Sequence, residues 1–109
     1  MALTYKILGQ SNPAATTATD LYTVPSNTNT VVSTLQVCNQ AATNATFRVS
    51  VRQAGAATNA KQYLAYDTTI PANDSIALTL GITLAATDVV TVYASTTTLS
   101  FNLFGSELT

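Results

Sequence analysis

The chain swaps repeatedly between short β-prone runs and small polar clusters, and no stretch keeps a helical period for long. Eight runs stand out: Leu3 to Leu8, Asp20 to Val24, Val31 to Cys38, Ala45 to Arg52, Lys61 to Tyr66, Ser75 to Leu80, Val89 to Ala94 and Leu99 to Phe104. Between them lie clusters such as Ser11-Asn12-Pro13, Pro25-Ser26-Asn27 and Pro71-Ala72-Asn73-Asp74, whose residues supply turn geometry or compete with a ladder for hydrogen bonds. Strand side chains point alternately to either side, so Phe47, Val49 and Val51 face one way and Arg48, Ser50 and Arg52 the other. Ile76, Leu78 and Leu80 oppose Ser75, Ala77 and Thr79, and the same phase runs past Gly81 into Ile82 and Leu84. Leu99, Phe101 and Leu103 oppose Ser100, Asn102 and Phe104.

Each such sheet has one apolar face that another layer must cover, and no helix long enough to cover it is evident. The pattern predicts one all-β domain over residues 1–109, an antiparallel sandwich of about eight strands. Its wrapping is jelly-roll or immunoglobulin-like, and the alternation leaves the strand order open. Residues 1–19 read as an N-terminal strand or arm followed by a Thr/Ala-rich loop, with Ser11 to Thr19 either an arm hinge or a surface loop. The segment from Asp20 to Asn27 echoes that from Asp67 to Asn73; two ordinary strand exits, in which Pro stops the ladder and Asn accepts the turn, explain the echo better than an internal repeat.

Composition narrows the function classes. The chain of 109 residues is 47% hydrophobic and only 8% charged, with a net charge of −1. Ordinary globular chains carry roughly 25% charged residues. Disorder needs low hydrophobicity and high net charge, so a folded domain is expected. A nucleic-acid binder needs a cationic surface, yet the basic residues are only Lys6, Arg48, Arg52 and Lys61, against five acids. No apolar run approaches the roughly 18 residues needed to cross a bilayer, and Met1 to Gln10 has neither the basic start nor the apolar stretch of a signal peptide. The expected partners therefore include neither nucleic acid nor membrane. Cys38 has no second cysteine to pair with and sits in an apolar run, which suggests a small buried hydrophobe.

The catalytic menu is short. Without His there is no side chain that titrates near neutrality unaided, no Ser-His or Cys-His pair and no imidazole ligand. Asp20, Asp67, Asp74, Asp88 and Glu107 offer carboxylates, but Asp74 and Asp88 stand where a turn meets a strand, where Asp commonly bonds its own backbone. No Asp-x-Asp-x-Asp cluster with a Gly turn is present, and Gly9, Gly55, Gly81 and Gly105 are isolated turn or bulge residues. The expectation is a non-enzyme without metal or cofactor.

Arg48 and Arg52, on one strand face, are the only concentrated charge. They read as a solvated strand surface or as an interface, where Arg is enriched for its planar donors. Tyr63 and Tyr66 add amphipathic contact area on the next run. Their odd spacing sends them to opposite faces, so at most one joins the arginines and the other enters the core. Arg48, Arg52 and Tyr63 are the candidate interface residues.

Leu21-Tyr22-Thr23-Val24-Pro25, then Val31 to Asn39 and Ala45-Thr46-Phe47-Arg48-Val49, together resemble segments of small virion structural proteins of tailed phages, particularly marine phages and cyanophages. Tyr63 to Asp67, Ile70 to Asp74, Leu80 to Leu84, Asp88 to Ala94 and Phe101 to Glu107 continue the likeness over nearly the whole chain. The resemblance implies a non-enzymatic virion component, made in the host cytoplasm and mounted on the particle. The expected role is a capsid decoration, or cement, protein that binds the major capsid protein on the outer head surface as a homo-oligomer, with a trimer at local threefold positions favoured. A neck, tail, baseplate or fibre component is the alternative within that class. A carbohydrate-binding module is the alternative from another class; with no Trp, its platform would draw on Tyr5, Tyr22, Tyr63, Tyr66 or Tyr93.

Overall fold

The structure, a computed structural model, describes residues 2–109. Its strands are β1 (Leu3–Ser11), β2 (Thr19–Thr23), β3 (Asn29–Asn39), β4 (Ala45–Arg52), β5 (Tyr63–Ile70), β6 (Ser75–Leu78), β7 (Thr83–Leu84), β8 (Val89–Ala94) and β9 (Leu99–Leu108). Single 3-10 turns at Gln53–Gly55 and Ala60–Gln62 lie between β4 and β5. Every run marked in the sequence contributes a strand, and β7 is the addition. The run predicted as Ser75 to Leu80 stops at Leu78; the chain swings away from β3 through Gly81 in the left-handed region (φ 66°) and rejoins β3 at Thr83. Leu80 is therefore exposed, against the expected continuous phase, whereas Leu84 is buried.

The pairing is nested. β1 pairs with β9, β2 with β8, β3 with β6 and β7, and β4 with β5, all antiparallel. One long antiparallel ribbon, folded at the β4–β5 connection and rolled so that β9 also meets β3 and β8 also meets β4, gives that pattern. The result is one sheet in the order β1-β9-β3-β6, with β7 beside β3, facing a second in the order β2-β8-β4-β5. Of the two sandwiches compatible with the sequence, this wrapping is the jelly roll, with β6 and β7 together filling one strand position.

The inner faces make one core. Leu35, Val37, Leu99, Phe101 and Leu103 come from the first sheet, and Phe47, Val49, Val90, Val92 and Ala94 from the second, all fully buried. The Phe47 and Phe101 rings meet edge to face across the sandwich, 6.3 Å between centroids, a favoured geometry for the ring quadrupoles. Alternation thus assigns β4 and β9 correctly. On β3 a bulge between Val32 and Thr34 keeps Val32 and Leu35 on one face despite their odd spacing. The same alternation puts Cys38 on the outer face, beside Ser75 and Ser100 and only half-buried, which corrects the expectation of a core cysteine: Val37, its neighbour, takes the inward position.

Polar groups pin the ends. Asn39 is buried, and its Nδ2 donates to the carbonyls of Thr43, Ile70 and Pro71 while its Oδ1 accepts from the Ala41 amide and the Thr98 hydroxyl. Asn12 donates to the carbonyls of Thr97 and Leu99, so the loop after β1 is tied to the start of β9. Asn27 and Asn73, the two echoing positions, both sit in left-handed turns (φ 56° and 54°), as their shared strand-exit role requires. At Gly105 a Cβ would lie 2.2 Å from the Val31 carbonyl oxygen, so only glycine lets β9 and β3 approach beside the β3 bulge.

Candidate interface: the arginine and tyrosine face

The outer face of the second sheet carries the residues singled out from the sequence. Arg48, Ser50 and Arg52 project from β4, flanked by Tyr93 and Thr91 on β8 and by Tyr63 and Tyr66 on β5. Ser50 points outward as expected yet is covered, in register with Thr91 and Tyr63.

Two bulges in β5 shape this face. Phe47 pairs with Thr68 and Val49 with Ala65, so Tyr66 and Asp67 together oppose the single residue Arg48. Asp67 adopts φ 49°, a left-handed conformation that Asp tolerates better than most residues. Ser50 then pairs with Tyr63, leaving Leu64 as a second extra residue, half out in solvent. The extra residue cancels the odd spacing. Tyr63 and Tyr66 consequently lie on the same face with their rings edge to face, 4.9 Å between centroids. The expectation that one of them enters the core is corrected: Ala65, between the bulges, is the residue of this segment that packs on the core.

Arg48 is clamped. Its guanidinium lies 4.2 Å from the Tyr66 ring centroid and 4.3 Å from that of Tyr93, a cation between two aromatic faces. Its Nε and Nη2 donate to the two carboxylate oxygens of Asp67 at 2.7 and 3.3 Å. The Asp67 carboxylate holds this guanidinium protonated still more firmly than usual. Arg52 is tied to three elements: Nη2 donates to Asp20 on β2 (3.0 Å), Nε to the Thr91 hydroxyl on β8 (3.1 Å), and Nη1 to the carbonyls of Gly55 and Ala56 (3.1 and 3.0 Å). Both arginines thus bond within the chain, and the more exposed group of the face is the Tyr66 ring, at 57%. Tyr93 and Asp67, which the sequence reading did not select for this face, complete it.

Beside this face a cleft of about 470 Å³ opens, lined by Thr58, Asn59, Ala60, Tyr63 and Tyr66. Its wall is a capping box: the Asn59 side chain accepts from the Lys61 amide, the Gln62 side chain accepts from the Asn59 amide, and Gln62 Nε2 reaches the Ala57 carbonyl. Asp74 and Asp88 bond local backbone amides, as their turn positions suggested; Asp88 accepts from Ala85 and also from Ala54.

A second polar group joins the sheets at the opposite edge. Glu107 on β9 is buried and accepts from the Tyr22 hydroxyl on β2 at 2.5 Å and from Lys6 on β1 at 3.1 Å, while Thr30 on β3 bonds Tyr22 at 2.8 Å. The Tyr22 hydrogen bond, aided by Lys6 and opposed by burial, holds the Glu107 carboxyl below its usual value. Burial, followed by the Glu107 hydrogen bond, pushes Tyr22 up to about 12. Among the described residues no three His, Cys, Asp or Glu side chains gather as a metal site.

Compared with known proteins, the chain matches no family model, no curated protein and no solved structure.

Proposed function

We propose that this protein is a structural component of a phage virion, acting as a decoration protein that docks on the outer face of the head and holds neighbouring capsid subunits together. The observation that carries this reading is the nested strand order of a jelly roll, a wrapping used repeatedly for viral coat domains, in a chain whose segments resemble phage virion proteins. The link from fold to role is one of analogy, because one fold serves many functions. The surface chemistry supports it: three of the four basic residues, Arg48, Arg52 and Lys6, are each engaged with a carboxylate of the same chain, so apart from Lys61 the body presents mostly neutral Thr, Ser, Asn and Tyr groups. Short polar side chains lose little entropy when ordered against a lattice. The mechanism is mechanical. Surface buried across two capsid subunits raises the cost of separating them, and many copies let modest single contacts add up.

The deciding experiment is to locate the chain in a cryo-EM map of the intact particle, with its copy number measured against the major capsid protein. Density on the outer head surface at comparable copy number is expected. Density confined to neck, tail or fibre, or none at all, overturns the assignment. Within it, the docking contact is the Tyr63–Tyr66 edge of the arginine face. A Tyr63→Ala/Tyr66→Ala double variant keeps the Arg48–Asp67 pair and should fold, with occupancy on the particle reduced; full occupancy would move the contact elsewhere.

The cleft beside Tyr63 and Tyr66 favours one second reading, a carbohydrate-binding module, since the exposed Tyr66 ring and half-buried Tyr63 ring next to Asn and Thr donors suit a sugar face and its hydroxyls. Titration against host polysaccharide separates the two: saturable heat that disappears in the same double variant supports the sugar reading, and its absence removes it.

A further inference from the structure

We propose that two copies of this chain join through the free edge of β1, in antiparallel register about a two-fold axis at Tyr5, to form one continuous sheet. The proposal does not depend on where in nature the protein acts. It starts from the parity of the β1–β9 ladder. Ala2 and Thr109 exchange both backbone bonds at 2.9 Å, which fixes the alternation along the antiparallel pair. Thr4 opposite Glu107 and Lys6 opposite Gly105 then use their amides and carbonyls on β9, whereas those of Leu3, Tyr5 and Ile7 point away from it. β1 ends its sheet, so among the described residues no strand pairs with them on that side.

The same three residues turn their side chains to the outer face of the sheet, where Val31 and Phe104 continue the apolar surface. The five are between 37% and 79% exposed, Tyr5 the most. At about 150–200 Å² for each fully exposed side chain, they present roughly 400–500 Å² of apolar surface, the size at which a patch commonly marks an interface. In an edge-paired dimer this surface runs on across the two-fold as one apolar strip, and the area buried is that of the edge backbone and of the flanks of the Leu3, Tyr5 and Ile7 side chains that meet their counterparts.

The occupant follows from the chemistry of the strip. Among the outward side chains of Leu3, Tyr5, Ile7, Val31, Ser33, Phe104 and Ser106 there is no charge, so nothing selects a charged partner and nothing repels a second copy. An antiparallel two-fold at Tyr5 pairs Tyr5 with Tyr5 and Leu3 with Ile7, and each pair lies where both strands have free amides and carbonyls. The hydrogen-bonding pattern is therefore complementary to itself, and the apolar side chains form cross-strand pairs on one face. The other edges are less suited: β2 and β5 are interrupted by bulges, and β6 has four residues. From Leu3 to Ile7, β1 is regular, has no proline, and directs its lysine to Glu107 on the inner side.

The test is the mass of the purified full-length chain across the micromolar range, by sedimentation equilibrium, with amide hydrogen exchange on the same samples. A species of twice 11.4 kDa is expected, in which the Leu3, Tyr5 and Ile7 amides are protected together with those of Thr4 and Lys6. Tyr5→Pro removes a donor that β9 does not use, and Tyr5→Lys places like charges against each other. Each should halve the mass and leave the Thr4 and Lys6 amides protected, the sign that β1 still pairs with β9. A wild-type monomer, a trimer, or a dimer that survives both substitutions overturns the proposal. If Tyr5→Pro also loses protection at Thr4, the Tyr5→Lys result decides alone.

Discussion

Tyr22 and Glu107 show how much a single pair of side chains contributes to the jelly roll. Their hydrogen bond crosses from β2 in one sheet to β9 in the other, and each titration is shifted by it. Glu107 has its carboxyl lowered in the fold, so its stabilisation is present above the ordinary value of 4.5 and is lost as pH falls through the folded value. Tyr22 is raised from 10.0 to about 12, so its contribution is complete below pH 10 and disappears as pH rises towards 12. Denaturant midpoints measured against pH should give a plateau that falls away at both ends. Tyr22→Phe should lower the plateau by roughly 1.5–3 kcal/mol, the usual worth of a hydrogen bond to a charged group, and shrink both limbs. An alkaline limb of unchanged size would show that other tyrosines carry it. Neither partner was visible as a pair in the sequence. They are separated by 85 positions, and only the rolling of the ribbon brings them together.

At the scale of elements, the alternating pattern located every long strand, because a half-buried sheet requires a period of two and the chain keeps it within each run. It failed where a bulge changes the count. Leu64 puts Tyr63 and Tyr66 on one face, and the residue opposite Arg48 is doubled so that a ring and a carboxylate both reach its guanidinium. No residue type announces a bulge, so the odd spacing of the tyrosines gave the wrong face. Arg52 carries the clearest consequence for stability. It holds Asp20, Thr91 and the turn after β4 with one planar group, and the Lys ammonium, a point donor on a flexible stem, does not span all three. Arg52→Lys should cost about 1–3 kcal/mol in urea unfolding. The amides around Gln53–Ala56 should exchange faster than those of β4. A change below the error of the measurement would mean that the remaining contacts of the turn suffice.

For the whole molecule, the nested pairing joins the two ends of the chain: β1 and β9 are neighbours, and Ala2 bonds Thr109. Closing loops of that length before the contacts reward them is slow, so folding measured by stopped flow should fall in the range of about milliseconds to seconds typical of sandwiches and barrels. Submillisecond folding would require local structure that the chain does not have. The sequence by itself determined that this is one all-β sandwich with a neutral surface, because strand periodicity, the lack of any sustained helical period, and a charge fraction of 8% are local or additive properties. It also marked Arg48, Arg52 and Tyr63 as candidate interface residues on consecutive runs. Tertiary structure alone decided that the sandwich is a jelly roll, that both arginines bond within the chain, and that Leu3, Tyr5 and Ile7 lie bare on an open edge rather than in the core. The reason is physical: an alternating strand specifies which residues share a face, but only the position of that strand in the rolled ribbon specifies which face meets the other sheet and which meets solvent.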